Sequence, residues 1–251
     1  MTQHMTGFRM YDEFAHLWTQ ISAPEGYADE AEILRDLLFE LLDKEPGRDR
    51  PAVLEMGVGG GNNLCHMTEY VDAVAADISH AMLSVSQELN PEAEHVVGDM
   101  RSMRLDRKFD AVIVHDAISY MLTEGDLLRT FETARAHLEP GGVFIAGPDW
   151  LAGVTEIPNI SSKLGEPGML SYTEFVHDPD PADTEIELIF TFFIPQPGGS
   201  VKVEEDRHRH GLFPIETWLK LLRRAGFEPN SRRYPSEASS GAGYHFTGIA
   251  I

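Results

Sequence analysis

Four apolar runs in this chain each end in groups that can do chemistry. Val53-Leu54-Glu55-Met56 leads into Gly57-Val58-Gly59-Gly60-Gly61, a turn nearly bare of side chains. Between a buried strand and a helix, such a turn lets the backbone approach a nucleotide-like ligand. Asp77 follows 20 residues after Gly57, closing the run Val71 to Ala76. There a second parallel strand presents its acid to a ribose diol, and one carboxylate accepts both hydroxyl protons. The run His95 to Val97 ends in Gly98-Asp99-Met100, and Phe109 to Val114 ends in His115-Asp116. An imidazole accepts a proton near neutral pH, so His115 is the candidate catalytic base. Asp116 either orients that ring or binds an amino group of the ligand. A dinucleotide fingerprint, G-x-G-x-x-G, requires glycine where Asn62 stands, which argues against an NAD enzyme.

The elements that position these groups alternate between strand and helix from Pro51 to Pro148, a βαβ pattern that predicts a mostly parallel sheet. The spacing of Ile33, Leu34, Leu37, Leu38, Leu41 and Leu42 predicts a helix over 28–42, stopped by Pro46-Gly47. Helices are also expected after the glycine turn, where Cys65 reads as a structural thiol, after the N-cap Ser79, and over 127–138. A fifth strand, Val143 to Ala146, follows the turn His137 to Gly142. Beyond Pro148 the period tends towards two, which indicates a small antiparallel layer inserted after strand five. His208 and His210 lie two apart and share a face on a strand. With Glu204 and Asp206 nearby a metal is conceivable, but no tight ligand set closes, and lining a substrate pocket is the favoured role. A helix over 214–225 and strands over 228–234 and 244–251 complete the chain. The Ser- and Gly-rich segment Pro235 to Gly243 reads as a mobile link. Four regions result: an N-terminal helical lid (1–50), an α/β core (51–148), the inserted layer on the substrate side (149–210), and a C-terminal helix with the last two core strands (211–251).

Composition narrows the partners. The 251 residues carry 20 basic and 41 acidic side chains, a net charge of −21. That charge repels a phosphate backbone, so nucleic acid is not an expected partner, while a cationic substrate is attracted. No apolar stretch is long enough to span a membrane, the N-terminus lacks the shape of a signal peptide, and a single cysteine excludes an internal disulfide. A cytoplasmic protein is the default expectation.

The motif E-x-G-x-G-x-G at Glu55, Gly57, Gly59 and Gly61 resembles motif I of the class I S-adenosylmethionine (SAM) dependent methyltransferases. Asp77-Ile78-Ser79-His80-Ala81-Met82-Leu83 is similar to the D-[ILV]-S-x-x-M-L segment of the same family. The resemblance implies a doubly wound, Rossmann-like, seven-stranded α/β sheet and SAM as cofactor. It implies cofactor contacts from Glu55, Gly57, Gly59, Gly61, Asp77, Ile78, Met82, Asp99, Met100 and Asp116, with Asp99 accepting from the adenine amino group. The layout further resembles the N,N-dimethyltransferases of nucleotide-linked amino sugars, through the Tyr11-Asp12 element, the Tyr27 that opens the first helix, the Pro148-Trp150 segment, and a histidine before Leu212-Phe213. That likeness implies Tyr11 and Tyr27 over the cofactor's methionine end, an amine acceptor and a homodimer. Trp150, His177, His208 and His210 are the candidate substrate residues. The chain departs from that branch at His115-Asp116, which replace a more apolar and hydroxylic segment. The competing expectations are an O-methyltransferase that uses His115 as base, and a SAM-binding protein without activity.

Overall fold

A computed structural model describes residues 7–234 and 242–251. The link expected at 235–243 therefore falls mostly outside the described residues.

Strands β1 (Ala52–Met56), β2 (Asp72–Asp77), β3 (Glu94–Val97), β4 (Phe109–Val114) and β5 (Leu138–Ala146) are parallel. Strands β10 (Phe227–Arg233) and β11 (Tyr244–Ala250) complete a seven-stranded sheet in the order β10-β11-β5-β4-β1-β2-β3, with β11 antiparallel to both neighbours. Alternation along the strands feeds two cores. Leu54, Met56, Val112 and Val114 face helices α4 (Glu124–Ala136) and α5 (Ile215–Arg224). Val53, Ala111 and Ile113 face helix α2 (Ala28–Leu42) through Leu34, Leu37 and Leu38. Helix α2 is thus one layer of the core and not part of a separate lid.

The four-stranded antiparallel sheet β6 (Asn159–Lys163), β7 (Ser171–His177), β8 (Glu185–Pro195) and β9 (Val201–Gly211) forms the inserted layer. Its inner residues Val176, Ile186, Leu188 and Phe192 bury Met10, Phe14 and Ile21, near the short helix α1 (Trp18–Ile21). The N-terminal segment is therefore clamped between the small sheet and the core.

Three expectations are corrected. The helix after the glycine turn is only a 3-10 turn, Leu64–His66, because Gly59, Gly60, Gly61, Asn62 and Asn63 are poor helix formers. Helix α2 spans Ala28–Leu42 as expected, but its stop is Asp43 in the left-handed region (φ 50°), before Pro46-Gly47 is reached. The stretch 138–142, expected as part of a turn, belongs to β5, with a register irregularity opposite Phe109/Ala111.

Candidate active site

The strand order reverses between β1 and β4, and there the chains leave the sheet in opposite directions. A cavity of about 280 Å³ lies at this point, against the carboxyl ends of β1, β2 and β4. Gly57 (φ 78°) makes the floor possible. A Cβ there would lie 2.4 Å from the Ala117 Cβ and 2.9 Å from the Met100 methyl. The Trp18 indole covers the loop so closely that a Cβ on Gly60 would meet Nε1 at 2.2 Å. Gly61 does not reach the cavity; it packs on Ser86 and Asn90.

Asp77 ends β2 and accepts the Gly59 N–H through Oδ2 and the Ser79 N–H through Oδ1, each at 2.8 Å. Each oxygen keeps one lone pair, which matches the two hydroxyls of a diol. Burial, only partly offset by these N–H donors, pushes this carboxyl up. Ser79 caps helix α3 (His80–Leu89) by accepting the Met82 N–H, and it donates to the Tyr11 carbonyl at 2.6 Å. The cap thus ties the N-terminal segment to the cofactor side of the cavity. Asp99 lines the cavity too, but Arg101 forks onto it (Nε–Oδ1 3.0 Å, Nη2–Oδ2 2.6 Å) and adds its backbone N–H. Those donors take most of the carboxylate's acceptor capacity, which leaves little for an adenine amine. Ile78, Met82 and Met100 are apolar wall.

His115 follows β4 and is 6 % exposed. Its Nδ1–H donates to Asp116 Oδ1 at 2.7 Å, while Nε2 faces Glu30 of α2 at 3.6 Å, too far for a hydrogen bond. Burial opposes charge on the ring, but Asp116, Glu30 and Asp149 outweigh it and raise His115 to about 10. The carboxylates around the ring thus favour its charged form over the free base expected of His115. Asp116 stays ionised: burial resists its charge, and the His115 cation overcomes that resistance. Asp149 is pushed well up by burial and by Asp116 beside it. Burial also raises Glu30, and lifts Glu55 to about 7.

Tyr11, Tyr27 and Tyr120 line the cavity, and burial raises all three phenols. A buried chain runs behind two of them. Tyr11 and Tyr120 hydroxyls lie 2.9 Å apart, Tyr120 meets His208 Nδ1 at 2.6 Å, and His208 Nε2 meets Asp206 Oδ2 at 2.9 Å. Asp206, His208 and His210 share the inner face of β9, as their spacing predicts.

Of the four expected substrate residues, only His210 reaches the cavity. His208 stands behind Tyr120. Trp150 packs against the cluster of the small sheet. His177 points to the opposite face of β7 from buried Val176, where it pairs with Glu187 at 2.7 Å and stacks on Phe175. Sequence reasoning passed over Glu30, Tyr120 and Asp149. Glu30 carried a signal, an acid on the same helical stripe as Leu34, Leu37 and Leu38.

Several buried polar atoms on the wall have no partner: Trp18 Nε1, Asn63 Oδ1, His115 Nε2 and both ring nitrogens of His210. Buried polar groups require partners, so the wall is built for a polar ligand. The glycine floor, the free lone pairs of Asp77 and the excess of carboxylates fit a cationic adenosyl cofactor. A sheet of this order with such a floor defines an adenosyl-binding α/β enzyme.

The methyltransferase-domain family matches residues 53–142. The dTDP-3-amino-3,4,6-trideoxy-alpha-D-glucopyranose N,N-dimethyltransferase of Streptomyces venezuelae is 30% identical over 190 residues, covering 74% of this chain and 77% of that protein. The dTDP-3-amino-3,6-dideoxy-alpha-D-glucopyranose N,N-dimethyltransferase of Streptomyces fradiae is 27% identical over 201 residues, covering 79% and 76%. Among solved structures, Streptomyces venezuelae DesVI superposes with a TM-score of 0.78 at 24% identity, covering 95% of this chain and 98% of that one. The chain belongs to the class I SAM-dependent methyltransferases and shares the layout of the sugar-amine N,N-dimethyltransferases. It is an enzyme, and SAM is its cofactor. No helix among the described residues is long and apolar enough to cross a membrane.

Proposed function

We propose that the enzyme transfers the methyl group of SAM to the nitrogen of a small-molecule amine, with an amino sugar as the leading candidate. The observation that carries this reading is the acidic wall: Asp12, Glu55, Asp77, Asp99, Asp116 and Asp149 line the cavity, and among the described residues no lysine or arginine does. Such a wall attracts a cationic acceptor. An amine must only be neutral when it attacks, whereas a hydroxyl also requires a base. SAM supplies an activated methyl on a sulfonium. The protein's part is alignment and exclusion of water, which orientation alone can make worth about 7–11 kcal/mol.

The residue roles follow from placement. Asp77 takes the ribose diol, and the glycine floor admits the cofactor's backbone-facing edge. Tyr11, Trp18 and Tyr27 close the cavity from the N-terminal segment. Asp116 attracts the acceptor's ammonium, and it and Asp149 offer oxygens to the remaining N–H bonds after the proton is lost. The kinship with two dTDP-amino-sugar N,N-dimethyltransferases supports the amine and the sugar.

The test is turnover of SAM with a panel of primary and secondary amines, amino sugars included, read by fragmentation mass spectrometry. Methyl groups located on nitrogen bear out the proposal. Methyl groups located on oxygen, or SAM binding without transfer to any amine, refute it.

A further inference from the structure

The charges around the cavity bear on what the acceptor can carry. Among the described residues, no lysine or arginine lines the wall, while Asp12, Glu55, Asp77, Asp99, Asp116 and Asp149 do. Segments 1–6 and 235–241, outside the described residues, contain no lysine or arginine in sequence. The nearest cations are committed elsewhere. Arg9 pairs with Glu13 at 2.7 Å and Glu204 at 2.8 Å. Arg101 is forked onto Asp99 and reaches Asp126 at 3.4 Å. Lys163 donates to the Ile21 carbonyl at 3.1 Å.

A nucleotide-linked sugar brings a diphosphate, which proteins hold with guanidinium forks, ammonium groups or helix N-termini. Here the fork and ammonium are missing among the described residues, His115 is already paired with Asp116, and the α3 N-terminus lies beside Asp77 on the cofactor side. A second observation concerns the acceptor end. His210 is 4 % exposed, lines the cavity, and has both ring nitrogens without partners. Its burial favours the neutral ring, with one donor and one acceptor. That pair complements a hydroxyl or an amine, each of which both donates and accepts; a phosphate oxygen at neutral pH only accepts.

Resting on the amine reading above, we infer that the acceptor is a hydroxylated amine without phosphate, an amino sugar or similar polyol amine already free of, or never joined to, a nucleoside diphosphate. His210 is a specificity residue that takes an acceptor hydroxyl. A transferase that removes the nucleotide, or a route that never adds it, must then act before this methylation.

Two measurements decide the inference. The first is calorimetric titration of thymidine diphosphate into the protein saturated with S-adenosylhomocysteine. No binding up to 1 mM is expected; a Kd below about 100 μM, more than 5 kcal/mol of binding, overturns the inference. The second compares the methyl glycoside of 3-amino-3,6-dideoxyglucose with its dTDP-linked form. The phosphate-free sugar is expected to have at least tenfold higher kcat/KM, and the reverse order overturns the inference. If neither sugar is methylated, the amino-sugar part of the proposed function fails, and the thymidine diphosphate titration still decides whether the cavity accepts a diphosphate. His210→Phe should raise KM for the sugar at least tenfold with SAM affinity unchanged; an unchanged KM removes His210 from the specificity role.

Discussion

Replacing Asp116 with asparagine should bring the His115 pKa down from about 10 to near 7. The two groups meet at 2.7 Å. With about 4 Å between charge centres and an effective dielectric constant of about 20, the attraction is about 4 kcal/mol, or ~3 pKa units. Burial, no longer opposed by that charge, pulls the ring lower still, to 7 or below. The sign for stability follows from the direction of the shift. A histidine raised in the folded state gives stability that is complete below its unfolded pKa of about 6.5 and lost as pH climbs through the folded value. Between pH 7 and 10 the wild-type protein should therefore lose about 4 kcal/mol from this one group. Asp116→Asn should show almost none of that loss.

Urea unfolding of the cofactor-free protein at half-unit pH steps from 6.5 to 10 measures the difference. At pH 7 the variant should be less stable by about 3–5 kcal/mol, the cost of breaking a buried pair. The gap should narrow as pH approaches 10, where the wild-type ring is about half deprotonated and the variant's is neutral. Groups away from this cluster titrate alike in both proteins and cancel, whereas Asp149, Glu55 and Glu30, which Asp116 pushes up, fall in the variant and are followed by carboxyl NMR. A gap that stays constant across the window, or a His115 ring that titrates near 6.5 by NMR in the wild type, would refute the argument that His115 rests as imidazolium.

Further outcomes are expected at the cofactor side and behind it. Asp77→Asn should weaken SAM binding by about 10- to 100-fold by calorimetry, as one charge-assisted acceptor typically contributes about 1.5–3 kcal/mol; unchanged affinity would remove Asp77 from the diol. Asp99→Asn should cost less than threefold in the same titration, since Arg101 already occupies that carboxylate. Gly57→Ala should lower stability by about 3 kcal/mol or more, because the added methyl meets Ala117 at a positive φ that alanine resists. Tyr120→Phe should leave SAM affinity intact and lower kcat/KM for the amine, because it cuts Tyr11 off from His208 and Asp206.

The sheet was readable in the sequence because each buried strand is a short apolar run ending in a polar group. Phe109 to Val114 matches β4 residue for residue. Elements whose order depends on distant partners were not readable. Strand β6, Asn159–Lys163, is almost wholly exposed and carries no apolar alternation; its pairing with β7 makes it a strand. The site divides along the same line. Gly57, Gly59 and Asp77 act through backbone and strand position, which local pattern encodes. The states of His115 and Asp99 depend on Asp116, Glu30, Asp149 and Arg101, whose approach only the folded chain brings about. In the segment after β5 the proline–tryptophan pattern drew attention to Trp150, yet the adjacent Asp149 is the residue that turns to the cavity.

The same cluster explains how an enzyme can bury so many acids beside its reaction centre. Asp116 is compensated by His115, while burial pushes Asp149 and Glu30 up and lifts Glu55 to about 7, which favours their neutral forms. None of these devices puts a lysine or arginine on the described wall, and the His115 charge is already paired with Asp116. A cationic cofactor entering the cavity therefore meets carboxyls that can release protons and become its counter-charges. If so, SAM binding should liberate protons near pH 7, whereas S-adenosylhomocysteine, which lacks the sulfonium charge, should liberate fewer. Calorimetry in two buffers of different ionisation enthalpy reads that difference directly. Equal proton release for the two ligands would mean that the acids do not answer to the sulfonium, and that their burial serves the fold alone.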